Sequence, residues 1–160
     1  MPSSGSVSIQ LVTPGNVRLM DSMLHMFGEA FNERETYTGA KPDADYLERL
    51  LGSDYFIALA ALKGEEVVGG LAAYELKKFE QARSEIYIYD LAVAEGHRRE
   101  GIGTALIQAL KRVAIERGAW VVFVQADHGD HPAIALYSRL GIREDVLHFD
   151  LPVRDPESDA

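Results

Sequence analysis

The chain has 160 residues, 47% of them apolar, with no cysteine, a formal charge of −9 and an isoelectric point near 5.0. That length fits one domain burying about 70% of its unfolded surface, while the missing cysteines exclude disulfides, thiolate zinc sites and a cysteine nucleophile. The acidic balance argues against nucleic acid as a partner, no apolar run approaches the roughly 20 residues of a membrane span, and Met1–Ser8 lacks the basic start and apolar block of a secretory signal, so a cytoplasmic protein is expected.

Val7–Val12 reads as a first strand. Thr13-Pro14 then predicts a helix start, with Thr13 as N-cap and Pro14 in the first turn. Val17, Met20, Leu24, Phe27 and Phe31 follow at three- and four-residue steps and make one apolar stripe. Asn32–Lys41 reads as a polar loop, and a short helix is expected from Pro42 to Leu51, stopped by Gly52. Tyr55–Leu62 and Glu66–Leu76 read as strands joined through Lys63-Gly64-Glu65, and Gly69-Gly70 inside the second suggests a bulge or a close backbone approach. After the polar stretch Lys77–Arg83, Ser84–Val93 is a fourth strand, rich in β-branched and aromatic residues.

A helix is expected from Ile102 to Arg117, with Ile102, Leu106, Leu110, Val113 and Ala114 on its apolar stripe and Gly118 as its stop. Trp120–Ala126 is almost continuously apolar, as in a strand covered on both faces. Pro132–Leu140 reads as a last helix ending at Gly141, and Ile142–Leu151 as one or two closing strands. The strand–helix–strand unit implies a right-handed parallel crossover, so the fold class is α/β (α+β) with a mixed, mostly antiparallel sheet of six to seven strands and about four helices. One domain over 7–153 is expected, with unstructured tails at 1–6 and 154–160.

The junction Arg98-Arg99-Glu100-Gly101-Ile102-Gly103 carries the chemistry. It joins a strand to a helix whose first amides have no intrahelical acceptor. Glycines at 101 and 103 permit close approach, and the helix end and the neighbouring arginines add positive charge. These features suit a diphosphate. A dinucleotide fingerprint would need glycine where Leu106 stands, and a P-loop would need Gly-Lys-Ser/Thr, which is absent. An ordinary glycine-containing turn remains an alternative at this level.

The run Asp90–Gly103 (DLAVAEGHRREGIG) resembles the central motif of the GNAT acetyltransferase superfamily, and Asp130–Gly141 (DHPAIALYSRLG) resembles its second motif, with Asp130 where asparagine usually stands. More narrowly, Lys78–Val93 and Val124–Asp150 are similar to the type I aminoglycoside 3-N-acetyltransferases, the gentamicin-resistance enzymes. The resemblance implies the GNAT fold, with acetyl-CoA as co-substrate; no metal is expected, since His128 and His131 have no third ligand nearby in the sequence. It implies transfer of acetyl to an amine of an aminoglycoside, at the 3-amino group of 2-deoxystreptamine, by an antibiotic-resistance enzyme working as a homodimer.

It also implies site residues. Backbone groups of Leu91, Ala92 and Val93 would pair with pantetheine between two splayed strands. Amides of Arg98, Arg99, Glu100, Gly101, Ile102, Gly103 and Thr104 would take the diphosphate, and Ala133, Leu136 and Tyr137 complete the cofactor contacts. Tyr137 is the expected acid for the departing thiolate; packing beside Leu136 and Leu140 is the plainer reading. With no cysteine to acylate, direct attack in a ternary complex is expected.

Asp90 interrupts an apolar strand, and a carboxylate there is costly unless it is paired or functional. Base, ammonium anchor and a structural hydrogen bond are its open roles. Asp127 and Asp130 follow the fifth strand and suit a cationic substrate, although Asp130 could also cap the last helix. Tyr87 and Tyr89 alternate along the fourth strand, where cleft lining and core packing are both open. A polyamine, another small amine or a protein N-terminus is the alternative acceptor, and a silent coenzyme A-binding module is the reading outside enzymes.

Overall fold

A single mixed sheet organises the first part of the chain. The structure, a computed structural model, describes residues 5–154. These fall into two compact units, one ending at Asp127 and the other beginning at His128. The first unit runs β1 (Ser8–Leu11), α1 (Val17–Ala30), a π-helical turn (Glu35–Gly39), α2 (Ala44–Leu51), β2 (Phe56–Lys63), β3 (Glu66–Lys77), β4 (Ser84–Val93), a 3₁₀ turn (Glu95–His97), α3 (Ile102–Arg117) and β5 (Ala119–Val124). The five strands lie in sequence order, antiparallel from β1 to β4 and parallel between β4 and β5. The parallel step needs the crossover that α3 supplies.

Local chemistry sets the helix ends. Asn16, not Thr13, caps α1: its side chain accepts from the Leu19 amide at 3.2 Å, while the Thr13 carbonyl takes the Asn16 amide in a preceding turn. The Thr-Pro pair thus shapes the entry and the helix starts three residues later. Likewise Asp43 caps α2 by accepting from the Tyr46 amide at 2.8 Å, so the helix begins after Pro42 rather than at it. Part of the expected polar loop 32–41 is the π-helical turn.

Strand parity divides the core. Phe56, Ala58, Ala60, Leu62, Ala72 and Ala92 pack with Met20, Met23, Met26 and Phe27 of α1 and Leu47 and Leu51 of α2. The alternate residues Ile57, Leu59, Leu71, Ala73, Ile86 and Ile88 are buried too, on the face that meets Ile102, Leu106 and Leu110 of α3. Each such side chain contributes roughly 1.5–3 kcal/mol on burial. Phe27, 1% exposed, is a keystone whose truncation to alanine would cost about 3–5 kcal/mol.

The two adjacent glycines admit the two helix layers. A Cβ on Gly69 would lie 2.9 Å from Ile102 Cγ2, and one on Gly70 would lie 2.9 Å from Met23 Cε. The expected irregularity is present beside them: Ala61 pairs with Gly69 but Leu62 with Val67, leaving Val68 as a bulge.

Two expectations for the end of the sheet are corrected. β5 stops at Val124 rather than Ala126 and is only partly buried, not covered on both faces; Trp120 is half exposed, with the Arg83 guanidinium 4.0 Å above its ring. The closing strands expected within 142–151 are not formed among the described residues, so the sheet has five strands instead of six to seven. Alternating apolar residues alone do not make a strand, because a ladder also needs a paired edge.

The second unit contains α4 (His131–Leu140). Asp130 caps it by accepting from the Ala133 amide at 3.3 Å, Pro132 sits in its first turn, and the Gly141 amide returns to the Tyr137 carbonyl at 2.9 Å. The described helices are thus four α-helices plus the π-helical and 3₁₀ turns. None is long and apolar enough to cross a membrane. The unstructured tails expected at 1–6 and 154–160 lie mostly outside the described residues.

Candidate functional site

The site is organised by an irregularity in β4. Ala73 pairs with Ile88, but the next β3 residue, Ala72, pairs with Asp90, so Tyr89 is an extra residue. Strict alternation would have put Asp90 on the α3 face with Ile86 and Ile88, among aliphatic side chains. The bulge turns Asp90 and Ala92 to the α1 face, the side of Tyr87 and Tyr74. Tyr89 joins them: its ring centroid lies 5.7 Å from Tyr74 and 6.1 Å from Tyr87. A carboxylate and three phenols therefore share one patch.

The same position ends the parallel ladder. Ile88 and Val124 are its last pair, and beyond the bulge at Tyr89 the residues Asp90–Val93 pair with β3 alone among the described residues. The edge of β4 at Asp90, Leu91, Ala92 and Val93 thus has no strand against it among the described residues.

β4 then leads through the 3₁₀ turn into the junction before α3. Arg99 has φ 66° and Gly101 φ 81°, two left-handed residues in three that fold the chain into a concave loop. Gly101 occupies the N-cap position of α3 without a side-chain acceptor. Among the described residues, no amide from Arg98 to Thr104 finds an acceptor within the chain, and the Ala105 amide is the first to do so, on the Gly101 carbonyl at 3.0 Å. A row of unpaired donors at the positive end of a 16-residue helix has the donor set and the field that an anion would require.

The side chains around this row are fixed to the scaffold. Arg98 donates through Nε to the Val93 carbonyl at 3.3 Å and through Nη2 to the Ala30 carbonyl at 3.4 Å, tying β4 to the end of α1. Glu100, which would repel an anion, is bound by Lys63 Nζ at 2.7 Å, and that ammonium holds its carboxyl below the usual range. His97 Nδ1 lies 3.6 Å from the same carboxylate.

Asp90 is half-buried. Its Oδ2 accepts from the Tyr37 phenol at 3.0 Å, and Tyr37 sits on the π-helical turn. Burial raises the Asp90 pKa, the Tyr37 hydrogen bond works against that rise, and the charge of Glu33 adds to it. Burial, then the Asp90 charge and hydrogen bond, raise Tyr37 well above the ordinary phenol range. Burial also raises Tyr74 and Tyr87.

Tyr37 is missing from the candidates read in the sequence. Its only signal there was one aromatic residue inside a polar loop, and nothing local ties it to a strand 53 positions away. The pairing of Lys63 with Glu100 was equally invisible.

The remaining candidates divide by unit. Tyr87 stacks on Phe123 with centroids 4.8 Å apart and donates to Gln125 Oε1 at 2.9 Å, at the end of β5. Asp127 is exposed at the end of the first unit. Asp130, Ala133, Leu136 and Tyr137 belong to the second unit, where Asp130 has the capping role already described and Ala133, Leu136 and Tyr137 are half-buried along α4. No cluster of three or more metal-ligating side chains exists among the described residues.

The profile of the acetyltransferase (GNAT) family matches residues 19–142, and the chain belongs to that family. Among solved structures, an aminoglycoside acetyltransferase from an uncultured soil metagenomic sample is 64% identical, with TM-score 0.92 over 93% of this chain and 99% of that one. A second soil-metagenome aminoglycoside acetyltransferase, solved in complex with sisomicin, is 30% identical with TM-score 0.85 over 92% and 97% of the two chains. The rat (Rattus norvegicus) N-acetyltransferase 8B is 29% identical over 98 residues, 61% of this chain and 43% of the rat protein, so this chain spans less than half of that relative's length. Enzymes of the family take acetyl-CoA as co-substrate.

Proposed function

We propose that this protein transfers acetyl from acetyl-CoA to an amine of an aminoglycoside, the 3-amino group of the 2-deoxystreptamine ring, and thereby serves antibiotic resistance. The observation that carries the reading is the row of unpaired amides from Arg98 to Thr104, set directly after the β4 edge that β5 leaves open. The 64% identity to an aminoglycoside acetyltransferase over nearly the whole chain supports the choice of acceptor, as does the charge of −9, which attracts a polycation.

The residues present fit the co-substrate. The amides of Arg98, Arg99, Glu100, Gly101, Ile102, Gly103 and Thr104 would hold its diphosphate, and the open edge at Leu91, Ala92 and Val93 would pair with its pantetheine. Ala133 and Leu136 are the further contacts on α4. When bound, acetyl-CoA supplies the acetyl group as an activated thioester.

The chain's own groups move the protons. Asp90, unpaired at Oδ1 among the described residues, accepts a proton from the substrate ammonium or anchors it. The freed amine forms the N–C bond as the C–S bond breaks; Tyr137 gives its proton to the leaving sulfur, and the second proton shed by the acylated nitrogen restores the phenol. Tyr87, Asp127 and Asp130 are assigned to the cationic acceptor. No step uses a metal or an acyl-enzyme.

The reading treats 7–153 as one cytoplasmic acetyltransferase domain, supported by a family match that runs through both units. It also includes a homodimer. Leu147, Phe149, Leu151 and Val153 alternate along a segment that forms no strand among the described residues and are 75–99% exposed, while among those residues β5 pairs with β4 alone. A free strand edge and an apolar strand-like segment on every copy are complementary needs that a second copy satisfies.

The test is thiol release from acetyl-CoA with gentamicin, followed by mass spectrometry and NMR of the product. A single acetyl on the 3-amino group is expected. No turnover on several 2-deoxystreptamine drugs would reject the acceptor, and a preference for spermidine or a peptide would move the reading to another amine.

A further inference from the structure

We propose that Tyr37 is a positioning residue of the reaction: seated on α1 by Gly28, its phenol grips one oxygen of Asp90 and turns the other toward the amine. This rests on the reading of Asp90 as the carboxylate that handles the ammonium. The argument begins in α1. A Cβ at Gly28 would lie 3.2 Å from Arg34 Cα, tighter than ordinary contact, and 3.5 Å from Tyr37 Cβ, so glycine lets the π-helical turn settle closely against the helix. The Gly28 carbonyl takes the Glu33 amide at 2.8 Å, and the Glu33 carbonyl takes the Tyr37 amide at 3.3 Å. The Tyr37 ring is wedged against Phe27 and Phe31, with centroids 5.8 and 5.7 Å away. Backbone and ring together leave the phenol little freedom.

That rigidity reaches the carboxylate. Tyr37 gives the one side-chain hydrogen bond Asp90 receives among the described residues, to Oδ2 at 3.0 Å. A carboxylate on a strand otherwise rotates broadly about its last torsion. With Oδ2 committed, Oδ1 becomes the acceptor in a fixed orientation, which is what a proton transfer requires. A phenol serves here because it donates one hydrogen bond and stays neutral, so it orients the carboxylate without cancelling its charge.

The groups around Asp90 set the direction of each perturbation. Tyr37 on the turn lowers its pKa and Glu33, just after α1, raises it; Tyr74 on β3 and Tyr87 on β4 sense its charge. Tyr37→Phe keeps the ring packing and removes only the hydrogen bond. It is expected to move the acidic limb of the pH profile of kcat/KM for gentamicin upward and to lower kcat by about ten- to hundred-fold, with coenzyme A affinity unchanged. Glu33→Gln is expected to move the same limb downward. In the substrate-free protein, ¹³C NMR titration of the Asp90 carboxyl should show the same two opposite displacements.

A merely structural tyrosine would alter the melting temperature and leave these limbs in place. An unmoved limb and carboxyl titration in Tyr37→Phe, with Asp90→Asn inactive, overturns the role of Tyr37 and spares that of Asp90. Full activity in Asp90→Asn overturns both.

Discussion

Substituting alanine at Gly69 should weaken coenzyme A binding although this residue is not itself one of the proposed ligand contacts. The added Cβ would stand 2.9 Å from Ile102 Cγ2, about half an ångström inside ordinary contact, and 3.2 Å from the Ala92 carbonyl oxygen, a smaller overlap. Neither neighbour yields easily. Cγ2 sits on a β-branched carbon whose χ1 is stiff in a helix, and the carbonyl belongs to the β3–β4 ladder. The first turn of α3 must therefore retreat, taking with it the amides of Ile102, Gly103 and Thr104.

Overpacking of this kind costs roughly 1–3 kcal/mol, or about 2–12 °C of melting temperature in a domain of this size. If the same displacement is charged to the anion site, coenzyme A Kd rises roughly five- to hundred-fold, at about 1.4 kcal/mol per tenfold. Gly70→Ala is the control. Its Cβ meets Met23 Cε at 2.9 Å and Met26 Cε at 3.1 Å, the free ends of flexible side chains on the opposite layer. It should cost less than Gly69→Ala and leave coenzyme A affinity near wild type. Calorimetric titration with coenzyme A and thermal melts of both variants decide the matter; wild-type affinity in Gly69→Ala, or equal loss in both, would refute the reasoning.

Asp90→Asn is expected to lower kcat by roughly 10²–10⁴ while raising the melting temperature at neutral pH. Burial raises the Asp90 pKa above its unfolded value, so its contribution to stability is present at low pH and lost as pH rises through the folded pKa; the melting advantage of the asparagine should fade on acidification. Tyr137→Phe should lower kcat with little change in acetyl-CoA binding, and unaltered turnover would remove its assignment as the acid. Lys63→Met frees the Glu100 carboxylate beside the amide row, and a several-fold loss of coenzyme A affinity that shrinks with added salt is expected by titration. Leu147→Lys with Leu151→Lys should shift the species seen by light scattering from dimer to monomer, and an unchanged mass would reject the tail as the dimer contact.

Much of this protein was legible in its sequence because the relevant signals are local. The apolar stripes of α1 and α3, the Lys-Gly-Glu hairpin, the left-handed glycine at 101 and the helix starting at Ile102 each follow from a few neighbouring residues. So does the strand-to-helix junction with its unpaired amides, since these belong to any helix start and need no distant partner. The tertiary structure decided what depends on register and on distant chain. A bulge at Tyr89, invisible to a period of two, chooses the face on which Asp90 appears; Tyr37 reaches that carboxylate from 53 residues away; and the alternating residues 142–151 form no strand, because pairing is a property of two edges and a sequence pattern describes only one.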